Sequence, residues 1–282
     1  MSKLKVVEKF LAPQGESYHT GTPSIFIRLY GCNFKCQGFG MPRGELSTEA
    51  NEIAKNIDQY KSLEDVPLAS TGCDSFTAWH PAFKHLAPLV DANELVEDII
   101  NLLPYKEWRE EHLVITGGEP LLGWQRAYPD LLDHPKMANL KDITFETNGT
   151  QHLSEDFKDY LTQWTNANPG RLVTFSVSPK LPASGEPWDA AIKPKVVLQY
   201  QNFGLTYLKF VVGNEQDVQD ALLAIEEYKQ SGFSGLVYLM PVGGTYETFN
   251  LTNVEVAELA LKYGLRYSDR LHIRLFGNQW GT

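Results

Sequence analysis

The sequence predicts an α/β fold in which a mainly parallel sheet is covered by helices. Short apolar runs alternate with helical patterns almost from end to end. Most of these runs are near-continuous in apolar residues, which is typical of strands covered on both faces. Repeated β-α units require right-handed crossovers, so the sheet is either doubly wound or curved into a full or partial barrel.

Seven runs are predicted to be strands, because they are rich in β-branched and aromatic residues and are bounded by turn residues. They are residues 24–30, 112–116, 142–146, 172–177, 207–212, 236–240 and 271–276.

Helices are predicted between these strands from start signals followed by apolar residues at helical spacing. The expected first residues or caps are Asp91, Ser154, Asn214 and either Thr252 or Asn253, with Gly264 ending the last helix.

No linker interrupts the chain, so residues 1–282 are predicted to form a single domain. Two stretches are expected to be additions to it. Residues 37–72 begin as a loop and then offer a short amphipathic helix with Ile53, Ile57 and Tyr60 on one face. Residues 179–195 are rich in Pro, Gly and Lys and are predicted to be a long surface loop.

The composition excludes several classes of protein. With 25 Lys+Arg against 35 Asp+Glu the net charge is −10, which argues against nucleic acid as a direct partner. A hydrophobic content of 43% excludes a disordered chain, and no apolar run reaches the roughly 18 residues of a membrane span. Three cysteines cannot form a fully paired disulfide framework, and no signal peptide is seen, so a cytoplasmic protein is expected.

The cysteines are the first candidates for chemistry. Cys32 and Cys36 directly follow the first predicted strand, and Cys73 lies much further on. They are either buried thiols, three ligands of a [4Fe–4S] cluster that leave one iron open, or zinc ligands with His80 or His85 as the fourth.

A second motif closes the strand at 112–116. Gly117 and Gly118 allow a ligand to approach the backbone closely, and the carboxylate of Glu119 can accept from an ammonium group. Gly-Gly alone is also compatible with an ordinary turn. Together with the Cys-x3-Cys pair, this motif resembles the radical S-adenosylmethionine (SAM) superfamily.

The resemblance narrows to the 7-carboxy-7-deazaguanine synthase family. Its typical opening is similar to residues 14–32, QGESYHTGTPSIFIRLYGC. Further matches follow in order at 115–120 (ITGGEP), 146–150 (ETNGT), 178–180 (SPK) and 271–282 (LHIRLFGNQWGT), so they extend over nearly the whole chain.

The resemblance implies a partial (β/α)6-type radical SAM barrel with its active site at the carboxyl ends of the strands. It also implies ring contraction of 6-carboxy-5,6,7,8-tetrahydropterin to 7-carboxy-7-deazaguanine with loss of ammonia, in 7-deazapurine (queuosine-type) biosynthesis. The cofactors implied are a [4Fe–4S] cluster, SAM and Mg²⁺. An electron donor such as flavodoxin or ferredoxin and a homodimer are implied as partners.

The resemblance also implies roles for individual residues, and it leaves the radical chemistry to the cluster and SAM rather than to a catalytic side chain. The cluster ligands are Cys32, Cys36 and Cys73, and the magnesium ligand is Ser75. The SAM site comprises Gly117, Gly118, Glu119, Asn148, Ser178, Lys180, Met240 and Pro241. The substrate site comprises Pro13, Gln14, Gly15, Arg28, Thr116 and Thr282.

The sequence departs from the family pattern at several positions. Phe39 stands where the usual spacing puts the third cysteine, but residues 73–79, CDSFTAW, resemble the usual continuation of that cysteine. We therefore expect Cys73 to be the third ligand and residues 37–72 to be an insertion in the cluster loop, which loop-closure entropy permits at small cost. Ser75 replaces a threonine, and Met240 replaces a glutamine beside Pro241.

Two other functions share part of this evidence. A radical SAM activase that makes a glycyl radical on a partner protein would carry the same cysteines and Gly-Gly-Glu motif, but not the 14–28 segment. A zinc-stabilised binding protein would use the three cysteines and a histidine.

Overall fold

The computed structural model describes residues 2–282, which form a nine-stranded sheet in the order β3-β1-β2-β4-β5-β6-β7-β8-β9. Strand β1 pairs antiparallel with β2 and β3, and all later neighbours are parallel. The sheet is not closed, so the fold is a partial barrel, as the sequence predicts. The strands are β1 Lys3–Pro13, β2 Pro23–Leu29, β3 Leu89–Asp91, β4 His112–Gly117, β5 Asp142–Thr147, β6 Leu172–Val177, β7 Leu205–Val212, β8 Val237–Pro241 and β9 Arg266–Tyr267.

Helices accompany this sheet, and the longer ones cover its outer face. They are α1 Glu49–Ala54, α2 Ala92–Leu102, α3 Tyr128–Leu132, α4 Glu155–Asn166, α5 Trp188–Ala191, α6 Pro194–Tyr200, α7 Glu215–Gln230, α8 Tyr246–Lys262 and α9 Leu271–Phe276. No helix among residues 2–282 combines the length and the apolar character that crossing a membrane requires.

Successive side chains along these strands point alternately to an apolar face and to a polar face of the sheet. In β2, Ile25, Ile27 and Leu29 pack into the core beneath the helices, and the same alternation holds in β4 to β7. The opposite face carries polar residues at the height of the cavity, among them Arg28 on β2 and Lys209 on β7. Because side chains alternate with a period of two, a shift of one residue would move these charges into the apolar core.

The six strands predicted between residues 24 and 240 are confirmed, with ends that shift by at most two residues. The prediction of a strand at 271–276 is wrong, because this segment is helix α9. The sheet already ends at β9, Ile273 is the buried residue of α9, and Gly277 ends the helix with φ +66°. Sequence reasoning also missed β1, the antiparallel partner of β2.

The helix starts after Asp91, Ser154 and Asn214 are confirmed. The last of the predicted helices, α8, begins earlier than expected, at Tyr246, because Thr245 and Thr248 form a capping box there. Gly264 follows its end with φ +66°, as predicted.

The insertion at 37–72 contains α1 and two short 3₁₀ turns at Ile57–Gln59 and Leu63–Asp65. Its apolar side chains, Ile53 and Val66 among them, pack with Phe76, Phe83 and Trp280 from outside the insertion. Residues 179–195 are not a plain loop, because α5 and the start of α6 lie within them.

The caps give a stability prediction. Asn214 accepts a hydrogen bond from Asp217 N at 3.1 Å, whereas the Ser154 side chain makes no such bond at the start of α4. We expect Asn214→Ala to lower the free energy of unfolding by about 1 kcal/mol and Ser154→Ala to lower it by less. Urea denaturation of both variants measures the difference, and equal losses would contradict the assignment of the caps.

Candidate active site

A cavity of about 220 Å³ lies at the carboxyl ends of the parallel strands and gathers residues from both ends of the chain. This is the position expected for the active site of a β/α barrel. The predicted residues that line it are Pro13, Gln14, Arg28, Cys32, Cys36, Cys73, Ser75, Thr116, Gly117, Gly118, Asn148, Ser178, Lys180, Met240 and Thr282. Gly15, Glu119 and Pro241 are not among its lining residues.

The structure brings the three cysteines together at one wall of the cavity. Cys36 is buried beside Phe34, and Cys32, Cys73 and Phe39 pack against the same small cluster. Cys36 has φ +51°, and its backbone N–H donates to Glu186 Oε1 at 2.8 Å, which holds the loop in this conformation.

The donor set of this wall fits an iron–sulfur cluster. Burial raises the pKa of Cys32 to about 12 and that of Cys73 to about 11, and it raises the pKa of Cys36 well above its usual value. Thiolates at these positions would therefore need a cationic partner, which iron would supply if it were bound. Lys180 lies close enough to lower the pKa of all three thiols and is the nearby protein cation.

Gly117 and Gly118 let the end of β4 pack closely against the end of β2 and the start of the cysteine loop. A Cβ on Gly117, which has φ +137°, would lie 2.1 Å from Leu29 O. A Cβ on Gly118 would lie 2.2 Å from Gly31 O and 2.8 Å from Cys32 Cβ. Only glycine fits such contacts, so both residues expose backbone atoms to the cavity.

Glu119 is fully buried and does not line the cavity. Its carboxylate accepts from Asn148 N at 2.7 Å, Thr147 Oγ1 at 2.8 Å and Leu121 N at 3.0 Å. Burial raises its pKa to about 7, against the effect of these hydrogen bonds. In this structure Glu119 therefore joins the loop after β4 to the loop after β5.

The other residues predicted for SAM surround the cysteine wall. Asn148 donates through Nδ2 to Asn33 Oδ1 at 2.9 Å, and Lys180 Nζ donates to Ser178 Oγ at 3.1 Å. Met240 places a thioether at the cavity from β8, and Pro241 ends that strand.

The residues predicted for the substrate lie on a second wall. Arg28 donates to Glu8 Oε1 at 2.6 Å and to Ser75 Oγ at 2.8 Å. Thr116 and Gln14 both donate to Glu146, at 3.0 and 3.2 Å. These contacts form a polar surface across β1, β2, β4 and β5.

The ends of the chain complete this wall. Gly15 lies behind the cavity, where its carbonyl accepts from Leu271 N at 2.9 Å. Pro13 and Thr282 line the cavity, and the neighbouring Gly281 donates to Glu8 Oε2 at 3.0 Å.

Sequence reasoning did not assign a site role to a network of buried charges in the same cavity. Lys209, which is 4% exposed, donates to Glu16, and Arg270 donates to Glu16 and Asp74. Burial would lower the pKa of Lys209, but Glu16 outweighs it and raises the pKa. The available signal was Lys209 itself, a charge inside an apolar strand, since a buried charge requires a partner.

Known proteins resemble this chain over nearly its full length, although no protein-family model matches it. The 7-carboxy-7-deazaguanine synthase of Hyperthermus butylicus is 31% identical, over 96% of this chain and 92% of the relative. The chain belongs to the 7-carboxy-7-deazaguanine synthase family. Relatives of the same name from Halobacterium salinarum and Rhodopirellula baltica are 28% and 27% identical, over 98% and 100% of this chain and 91% and 90% of their own lengths.

The fold of the synthase family is found among solved structures. The crystal structure of QueE from Escherichia coli matches with a TM-score of 0.53 and 21% identity, over 96% of this chain and 95% of that one. The family result confirms the resemblance inferred from the motifs and does not favour the glycyl-radical activase.

The histidines required by the zinc alternative lie elsewhere in this chain. His80 contacts Asn51 Oδ1 at 3.1 Å and accepts from Ala82 N at 3.3 Å, and His85 contacts Ala82 O at 2.9 Å. Neither lines the cavity with the cysteines. Within residues 2–282, no group of three or more His, Cys, Asp or Glu side chains, the three cysteines included, is placed to hold a single metal ion.

His272 gives a prediction for the pH dependence of stability. Burial, and then the charge of Arg270, lower its pKa from 6.5 to about 4. Between these values the unfolded chain binds a proton that the folded chain does not, so stability rises with pH from 4 to 6.5. We expect the wild type to lose more stability between pH 7 and pH 5 than His272→Gln does.

The measurement is urea denaturation at both pH values, with the exposed His152→Gln as the control. The control is expected to keep the pH dependence of the wild type. The same loss of stability in wild type and His272→Gln would contradict a neutral His272 in the folded protein.

Proposed function

We propose that this chain converts 6-carboxy-5,6,7,8-tetrahydropterin to 7-carboxy-7-deazaguanine and ammonia, in 7-deazapurine (queuosine-type) biosynthesis. The observation that carries the proposal is the convergence of the family motifs, which are far apart in sequence, on one cavity with three cysteines at its wall. The names of the relatives give the product, and the resemblance of the motifs implies the substrate. Overall the reaction is redox-neutral, since the substrate equals the product plus ammonia.

Cys32, Cys36 and Cys73 would hold three irons of a [4Fe–4S] cluster and leave the fourth iron for SAM. When bound, the cluster supplies the electron that cleaves SAM reductively. Gly118 packs against Gly31 and Cys32, and both Gly117 and Gly118 line the cavity, where their backbone would be open to a ligand. Asn148, Ser178 and Lys180 provide polar groups on the same side of the cavity.

Arg28 is the proposed anchor of the substrate carboxylate, because its planar guanidinium can donate two parallel hydrogen bonds to a carboxylate. Glu8 and Ser75 already hold its orientation. Gln14 and Thr116, which are both oriented by Glu146, offer polar contacts for the pterin ring. An electron donor such as flavodoxin or ferredoxin and a homodimer are proposed as partners from the family alone.

The reaction has a direct test. Anaerobic protein with reconstituted cluster, SAM, reductant and carboxytetrahydropterin should form the deazaguanine, and absence of product would refute the proposal. Cys73→Ala should lose bound iron as completely as Cys32→Ala, because each removes one of three ligands. Full iron content in Cys73→Ala would show that the third ligand lies elsewhere.

Magnesium is proposed to bind at Ser75, whose hydroxyl oxygen is a suitable hard ligand. The hydroxyl now accepts from Arg28 and donates to Asp74 Oδ1 at 3.3 Å, so an ion would displace the Arg28 contact. We expect Ser75→Ala to raise the Mg²⁺ concentration for half-maximal activity, by about tenfold if one hydrogen-bond-sized contact is lost. Ser75→Thr, which keeps the oxygen, should respond as the wild type does, and an unchanged response in Ser75→Ala would remove the role.

A further inference from the structure

The insertion returns to the cysteine site because its two ends are hydrogen-bonded together. Gln37 O accepts from Ser47 N at 2.7 Å, and Phe39 O accepts from Gly72 N at 2.7 Å. These bonds lie between Cys36, which directly precedes the insertion, and Cys73, which directly follows it. We call residues 37–49 and 70–72 the neck of the insertion.

The carboxylate of Glu49 accepts the hydrogen bonds of several donors at the end of the neck. Glu49, the first residue of α1, accepts from the backbone N–H groups of Ser70 at 3.0 Å and Thr71 at 2.8 Å. It also accepts from the hydroxyls of both residues, at 3.0 and 2.8 Å. Thr71 lies two residues before Cys73, so this contact fixes the chain immediately before the third cysteine.

The negative charge of Glu49 strengthens the hydrogen bonds that it accepts from Ser70 and Thr71. Burial acts to raise its pKa, but the hydrogen bonds from Ser70 and Thr71 outweigh burial and hold the pKa below its usual value. An ionised carboxylate accepts such bonds more strongly than a neutral group does. A glutamine would keep one acceptor oxygen and turn an NH₂ group toward donors.

The rest of the insertion is held by different forces. Ile53, Val66 and Ala69 pack with Phe76 and Phe83 in an apolar cluster that does not include Glu49. Loss of the Glu49 charge therefore leaves the body of the insertion in place and acts on the neck.

We propose that Glu49 is a positioning residue for Cys73: it holds Ser70 and Thr71, and so sets the third cysteine beside Cys32 and Cys36. This inference rests on the proposed function only in taking Cys73 as a cluster ligand. It assigns to the insertion a part in building the cluster site.

The test is cysteine alkylation in the apoprotein, followed for each cysteine by mass spectrometry. Glu49→Gln should raise the rate at Cys73 by about tenfold, as expected for loss of charge-assisted hydrogen bonds. The rates at Cys32 and Cys36 should stay within about twofold of wild type, since other contacts hold them. Glu45→Gln is the matched control, because Glu45 is exposed on the same insertion and the charge change is the same.

A second measurement uses the loaded protein without turnover. After anaerobic reconstitution, Glu49→Gln should lose iron to a chelator faster than wild type and Glu45→Gln. Thr71→Val removes one hydroxyl donor and keeps the side-chain shape, so it should show a smaller change of the same kind. It also keeps the test decisive if Glu49→Gln fails to fold.

An unchanged rate at Cys73 in both Glu49→Gln and Thr71→Val would overturn the proposal. An equal rise at all three cysteines would also overturn it, because that result indicates general loosening. A wild type that makes no deazaguanine but shows the selective effect at Cys73 would refute the proposed reaction and leave the role of Glu49 standing. Formation of deazaguanine by the wild type, together with unchanged Cys73 reactivity in the variants, would support the proposed reaction and refute the role of Glu49.

Discussion

The cavity depends on the burial of Lys209, because a charge in the middle of β7 is tolerated only where opposite charges meet it. Glu16 accepts from Lys209, and Arg270 connects Glu16 to Asp74. An unpaired charge at this depth would cost several kcal/mol. Two acids and two bases thus bind together the segment after β1, strand β7, the chain after Cys73 and the start of α9.

The same strands serve the core and the cavity because their two faces are chemically different. Arg28 lies beside Thr116 in the register of β2 and β4, and Glu146 lies beside Ser176 in the register of β5 and β6. The residue that precedes each of them in its strand is apolar and packs in the core, as Ile27 and Phe145 show. The register that buries the core therefore also aligns the polar groups at one height of the cavity.

Much of the fold could be predicted from the sequence, because the apolar faces of β2 and β4 to β8 leave a local signal. The segment 271–276 could not, since its apolar spacing suits a strand and a short helix alike. Its state is decided by the edge of the sheet and by Gly277, which are tertiary and terminal features. The local sequence pattern predicts the type of an element where many of its side chains are buried. It does not predict the type where few side chains are buried.

The candidate site also contains residues that local sequence motifs predict and residues that only the tertiary structure brings together. Motifs located Arg28 and Lys180, because each lies in a short stretch with a characteristic composition. The network of Lys209, Glu16 and Arg270 joins residues separated by 193 and 254 positions. One sequence contains nothing that pairs charges over such distances, and only the fold reveals which acid meets which base.

Residues 37–72 illustrate what the proposed cluster site requires of the chain between Cys36 and Cys73. Closing a longer loop costs little, because the entropy grows only with the logarithm of length. The more important requirement is that the chain comes back to a position beside Cys36. The hydrogen bonds of the neck meet this requirement. The body of the insertion reaches the opposite side of the cavity, where Val66 O accepts from Trp280 Nε1 at 2.7 Å, two residues before Thr282. One added segment thus contacts the two sides of the cavity, the cysteine wall through its neck and the C-terminal residues through its body.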